Sequence, residues 1–252
     1  MVADRLITLN SPYGGRLLPP CQHIPTARAN AGSLLLETLI GLAVVLLLGL
    51  SVVQWAFVYE ARAVVSHATY MAARSGAVNN AQTGPMRIAF ARAITPLLAP
   101  EPSALGFERR FLGKSSAEAA LYTRLQILNP TREAFTDFGI TDSQGQLVLP
   151  FSHLKTEPET PGVASGLSIH DATLLKIEVT YGYPLNVPFA GPMIIQSARA
   201  ARLFSGGFNA YEQALLSQNR LPIKTTSTVR LHTNAIPHSA IPTRAGVESR
   251  ID

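Results

Sequence analysis

Cysteine is almost missing from this chain: Cys21 stands alone, so no internal disulfide can form, and no Cys pair or Cys/His cluster offers structural zinc geometry. Charge is scarce as well. Asp, Glu, Lys and Arg make up 15% of the 252 residues while hydrophobic residues make up 47%. Soluble chains average about 25% charged, so a disordered or heavily solvated chain is excluded. The net charge of +5 comes from Arg and Lys scattered along the sequence, with no basic block of the kind that tracks a phosphate backbone; no nucleic-acid partner is expected. The six His show neither H-x-x-x-H nor H-E-x-x-H spacing, and no glycine-rich phosphate loop follows a strand. The sequence therefore predicts no metal and no cofactor, and it contains no internal repeat.

Apolar length is present instead. From Thr38 to Tyr59 the run TLIGLAVVLLLGLSVVQWAFVY carries no charged residue. At 1.5 Å per helical residue it covers roughly 30 Å, the thickness of a bilayer core. Trp55, Phe57 and Tyr59 gather at its far end, where amphipathic rings prefer the headgroup layer, and Gln54 is the one strongly polar side chain before them. The run predicts a membrane span. A buried helix in a soluble core is the competing reading, and an apolar surface on every face argues against it. A cleaved secretory signal would need a shorter apolar segment close to the basic start, followed by a small-residue cleavage site. Arg5, Arg16 and Arg28 precede the span while Arg62 and Arg74 follow it, so charge counting does not settle its orientation.

Glu37 interrupts the apolar sequence near its start, with Leu34, Leu35 and Leu36 before it. An acid costs about 2.5–3.5 kcal/mol at the centre of a membrane helix and less toward the interface. One reading is a first-turn acid that complements the helix dipole and reaches into the headgroups. The neighbourhood offers another: Arg28-Ala-Asn-Ala-Gly32-Ser33-Leu-Leu-Leu-Glu37-Thr-Leu-Ile resembles the processing site of class III signal peptides, found in type IV pilins, type II secretion pseudopilins and Tad pilus proteins. The resemblance implies that a prepilin peptidase on the cytoplasmic side cuts between Gly32 and Ser33. Glu37 then becomes the fifth residue of the mature chain and the partner of an N-terminal amine that fixes helix register. Gly41, Ala43, Gly49 and Ser51 would let such helices approach closely.

Ser33 stands where type IV pilins and type II pseudopilins usually carry Phe. Beyond the span come Phe57-Val-Tyr59-Glu-Ala-Arg62 and Ala68-Thr-Tyr70-Met-Ala72-Ala73-Arg74-Ser-Gly76-Ala77, and from Gly32 to Ala77 the chain is similar to TadE-like proteins. That resemblance implies a minor pilin or pseudopilin of Tad (Flp) pilus assembly. It would be a non-enzymatic, single-pass protein of the bacterial inner membrane with a cytoplasmic N-terminus and a periplasmic domain. Its implied partners are the prepilin peptidase, other Tad assembly proteins and pilin-like subunits, and membrane lipid. Open alternatives are a type II secretion pseudopilin, a type IV minor pilin, or an uncleaved signal-anchor protein with a periplasmic binding or enzymatic domain.

The predicted fold is α+β: a leader at 1–32, a transmembrane helix at 33–59, juxtamembrane helices at 60–100, an exported domain at 101–233 and a mobile tail at 234–252. Ala61, Val64, Ala68, Met71 and Ser75 recur at helical steps and predict a packed stripe on a helix continuing from the span to about Val78. Packing within one chain and packing between subunits suit it equally. A second helix is expected from Pro85 to Leu98, limited by Pro96 and Pro100.

Strands are expected at Leu121–Leu128, Gln146–Phe151, Leu174–Tyr181 and Ile223–Thr233, the third alternating to leave one wet face, with helices at Pro192–Phe204 and Phe208–Asn219. Lys155 to Gly166 reads as a surface loop. Ser152-His153-Leu154-Lys155 matches the S-x-x-K pattern of serine acyltransferases but lacks its companion elements. His170-Asp171 fits a surface turn, and Arg109-Arg110 and Arg199 with Arg202 fit solvated faces.

Overall fold

The computed structural model describes residues 31–98, 111–152, 160–185, 190–201 and 208–251, and its chain divides into two units, residues 1–45 and 46–252. The fold is α+β, as the sequence predicts. Helix α1, Ala31–Val78, is continuous. Its first part belongs to the smaller unit, where every residue from Leu34 to Val45 is exposed. This is one helix long and apolar enough to cross a membrane, and none of its most apolar stretch is buried, which is compatible with a single-pass membrane protein.

The larger unit is built on the second half of α1. That helix ends where Asn80 and Ala81 turn to positive φ, with the Ala81 N–H closing on the Gly76 carbonyl. Helix α2, Thr83–Ala93, follows, then the single turn α3, Thr95–Leu98. One helix was expected over this stretch. Pro96 supplies no N–H to continue the ladder, so the chain breaks at Ile94 and restarts. After a π-helical turn at Phe111–Ser115 come α4, Ser116–Tyr122, and strand β1, Thr123–Asn129. Leu121, expected to open the strand, is instead helical.

Helix α5, Arg132–Phe138, leads to a small hairpin of β2, Ile140–Thr141, and β3, Leu147–Val148. The hairpin turns through Asp142 to Gly145, whose φ of +74° suits glycine. The strand expected at Gln146–Phe151 is thus reduced to two paired residues, plus a lone bridge from Leu149 to Ala235. Helix α6, Ile169–Ala172, precedes β4, Leu174–Pro184. Two helices, α7 at Ala190–Ala201 and α8 at Ala210–Ser217, connect β4 to β5, Arg220–Arg230.

The main sheet runs β1-β4-β5, antiparallel throughout, with β4 central and paired along its whole length from Leu174↔Arg230 to Pro184↔Arg220. Leu175, Ile177, Val179 and Tyr181 point into the core beside Ala61, Val65, Ala68 and Ala72 of α1. The wet face expected on β4 is confined to its first half, around Lys176 and Glu178. From Thr180 to Tyr183 both faces are buried, because Leu215 of α8 lies over Gly182.

The stripe on α1 is rotated from its expected position. Ala61 and Ala68 are buried as predicted, but Val64 and Ser75 are only half-buried and Met71 is exposed; Val65, Thr69, Ala72, Ala73 and Ala77 take the inner face. Packing against the chain's own sheet accounts for that face. The closing segment, expected to be mobile, holds Ala235 and Ile241 in the core and ends in α9, Arg244–Ile251. Short polar links fasten it: Asn80 donates to the Asn234 carbonyl, and the Arg132 N–H to the Pro242 carbonyl.

Candidate functional site

The sequence places its candidate site at the head of α1. Gly32 and Ser33 fall in the first turn of that helix, and Glu37 follows four residues after Ser33, one turn along and on the same side of the helix axis. Glu37 is exposed, among leucines that are more than half exposed themselves. No described residue of α1 carries a second charge between Glu37 and Glu60. The hydroxyls that would be stranded in hydrocarbon are satisfied inside the helix: Thr38 donates to the Leu35 carbonyl at 3.0 Å and Ser51 to the Leu47 carbonyl at 2.8 Å. Around Gly41 and Gly49 an added methyl would meet nothing, so the helix surface there is open.

A second construction lies where α1 meets the sheet. Thr69 donates to the Val65 carbonyl and accepts from the Thr225 hydroxyl of β5 at 2.7 Å, a buried polar link between helix and strand. At Gly76 an added side chain would meet the ends of Met86 and Leu175, so glycine lets α2 and β4 pack closely on α1 without those side chains moving. Further along, Arg220 donates to both oxygens of Glu118 and to the Gly182 carbonyl, and its guanidinium lies 3.3 Å from the centre of the Tyr122 ring. Tyr181 donates to the same Glu118 carboxylate. Burial, reinforced by that carboxylate, raises the Tyr181 phenol well above its ordinary range. This clasp joins α4 to the β4–β5 end. Sequence gave no sign of it, because Glu118 and Arg220 are 102 positions apart.

The remaining sequence candidates do not converge. Ser152 is exposed, while His153 and Lys155 lie outside the described residues, as do Cys21, Arg109, Arg110 and Arg202. His170 and Asp171 form a local turn, in which the Asp171 N–H donates to the Ser168 hydroxyl and that hydroxyl donates to the Asp171 carboxylate. Arg199 is exposed, as expected, and in addition donates to the Leu216 carbonyl at 2.7 Å, tying α7 to α8. Among the described residues no group of His, Cys, Asp and Glu is placed to hold a metal ion. Comparison with family models, with curated proteins and with solved structures finds no match for this chain.

Proposed function

We propose that this chain is a membrane-anchored, pilin-like subunit of the TadE-like kind, cut by a prepilin peptidase between Gly32 and Ser33 and acting in Tad (Flp) pilus assembly. One observation carries the reading: a lone carboxylate, Glu37, stands one turn after Ser33 at the head of an exposed apolar helix. Cleavage creates an ammonium on Ser33. In a bundle of such helices an unpaired charge of either sign costs several kcal/mol, so a subunit whose Glu37 meets its neighbour's amine fits only at the matching axial stagger. The pair sets register more than it adds stability.

In this reading the leader stays on the cytoplasmic side and the sheet domain is exported. The chain works by anchoring and lateral packing rather than by catalysis, with the peptidase, other assembly proteins, pilin-like subunits and lipid as partners. Losing residues 1–32 lowers the formal charge from +5 to +3 and removes Cys21, so the mature chain carries no thiol into an oxidising compartment.

The test is the mass and N-terminal sequence of the membrane-extracted protein from strains with and without the peptidase. A start at Ser33 only when the peptidase is present supports the proposal. An intact leader in both strains overturns it in favour of an uncleaved signal anchor. In the processed protein, Glu37→Gln is expected to abolish filament formation while leaving cleavage intact, and normal filaments from that variant would remove the role given to the carboxylate.

A further inference from the structure

Two links align β4 with α1: Leu175 lies beside Gly76, and Val179 is the register partner of Thr225, which bonds Thr69. The strand therefore runs antiparallel to the helix, back toward its apolar half. From Val179 to Leu185 the chain advances roughly 20 Å at about 3.3 Å per residue. That equals about 13 helical residues at about 1.5 Å each, so Leu185 reaches the level of about residue 56 of α1. The connection to β5 begins there, with Leu185 packed against Gly191 in the first turn of α7.

That level is where the apolar run ends. Trp55 and Tyr59 are 55% and 78% exposed, while Gln54 and Val58 on another side of the helix are buried. Helix α7 buries Ile194 and Ile195 and turns Pro192 and Met193 outward, Met193 being 54% exposed. The helix carries no charged side chain before Arg199, and no Asp or Glu occurs anywhere between Glu178 and Glu212. An acid-free connection presenting Met and Pro, level with exposed Trp and Tyr, has the chemistry of the boundary between headgroups and acyl chains. The acids near this level are Glu60 of α1 and Glu118, which Arg220 holds at the β4–β5 end of the sheet.

We infer that the first turn of α7, through Pro192 and Met193, seats in the headgroup layer of the bilayer that α1 crosses and forms a second lipid contact. The inference rests on the membrane reading of α1. It gives the domain a fixed face toward the membrane, since two points of lipid contact define an orientation where a single helix would allow rotation.

The test uses full-length protein in nanodiscs on a Cys21→Ser background, with single cysteines at Met193→Cys, Pro192→Cys, Leu42→Cys and, in the hairpin turn, Ser143→Cys, each carrying a small fluorophore. Lipids bearing a spin label near the headgroup should quench positions 192 and 193 and leave 143 bright, while aqueous iodide should do the reverse. If lipid-borne labels placed along the acyl chain quench position 42 but headgroup labels leave 192 and 193 bright, the inference is overturned and the membrane reading stands. Failure to quench position 42 from any depth of the bilayer would overturn both.

Discussion

At the scale of single residues, buried hydroxyls and one exposed carboxylate decide local geometry. Thr69→Val leaves the buried Thr225 hydroxyl without its partner and is expected to cost about 1–3 kcal/mol, whereas adding Thr225→Val should restore much of the loss. Urea unfolding of the two single variants and the double variant in detergent checks this, and an additive double variant would deny the coupling. Asp137 holds the turn after Gly162, accepting from the Ala164 and Ser165 N–H groups and the Ser165 hydroxyl. The Ser165 backbone N–H, then its hydroxyl, with a smaller share from the Ala164 N–H, hold the Asp137 carboxyl below its ordinary range. A depressed pKa stabilises the fold above the unfolded value of about 3.9 and ceases to do so as pH falls through the folded value. Asp137→Asn should therefore be less stable than the parent at pH 7, with the gap closing below about pH 4 in acid titrations followed by circular dichroism.

At the scale of elements, small residues on α1 set how closely helix and sheet approach. Ala72 is fully buried and Met71 beside it is exposed. Ala72→Leu is expected to cost about 1–3 kcal/mol by overpacking. Met71→Ala should stay within about 0.5 kcal/mol, a contrast that thermal unfolding resolves. Much of this layer was legible beforehand. The alternation Leu175, Ile177, Val179, Tyr181 marked the central strand, and the uncharged run from Thr38 marked the long helix, because both patterns are local. The stripe was placed partly on the wrong residues, since alanines and glycine at helical spacing fit two neighbouring faces and only the facing sheet selects one. Ile140 and Leu147 form a hairpin too short for periodicity to reveal. The Glu118–Arg220 clasp depends on a pairing between distant segments that no local pattern records. Of the candidate site, the structure adds only that Gly32, Ser33 and Glu37 share the first two turns of α1.

At the scale of the whole chain, the segment beyond Asn234 closes the domain. A stretch with two Pro, a His and two Ser reads as unfastened from sequence, yet Ile241 is 2% exposed and the Leu149–Ala235 bridge is made in both directions. Truncation after Asn234 should remove that cover and cost at least about 2–5 kcal/mol, by analogy with deleting a buried Ile. Limited proteolysis that trims the tail without lowering the unfolding temperature would contradict this. The alanine face of α1 has one more consequence. Because the chain's own sheet already occupies that side, any second copy packing on this stretch would meet the opposite flank, where Tyr70, Met71, Arg74 and Val78 are exposed.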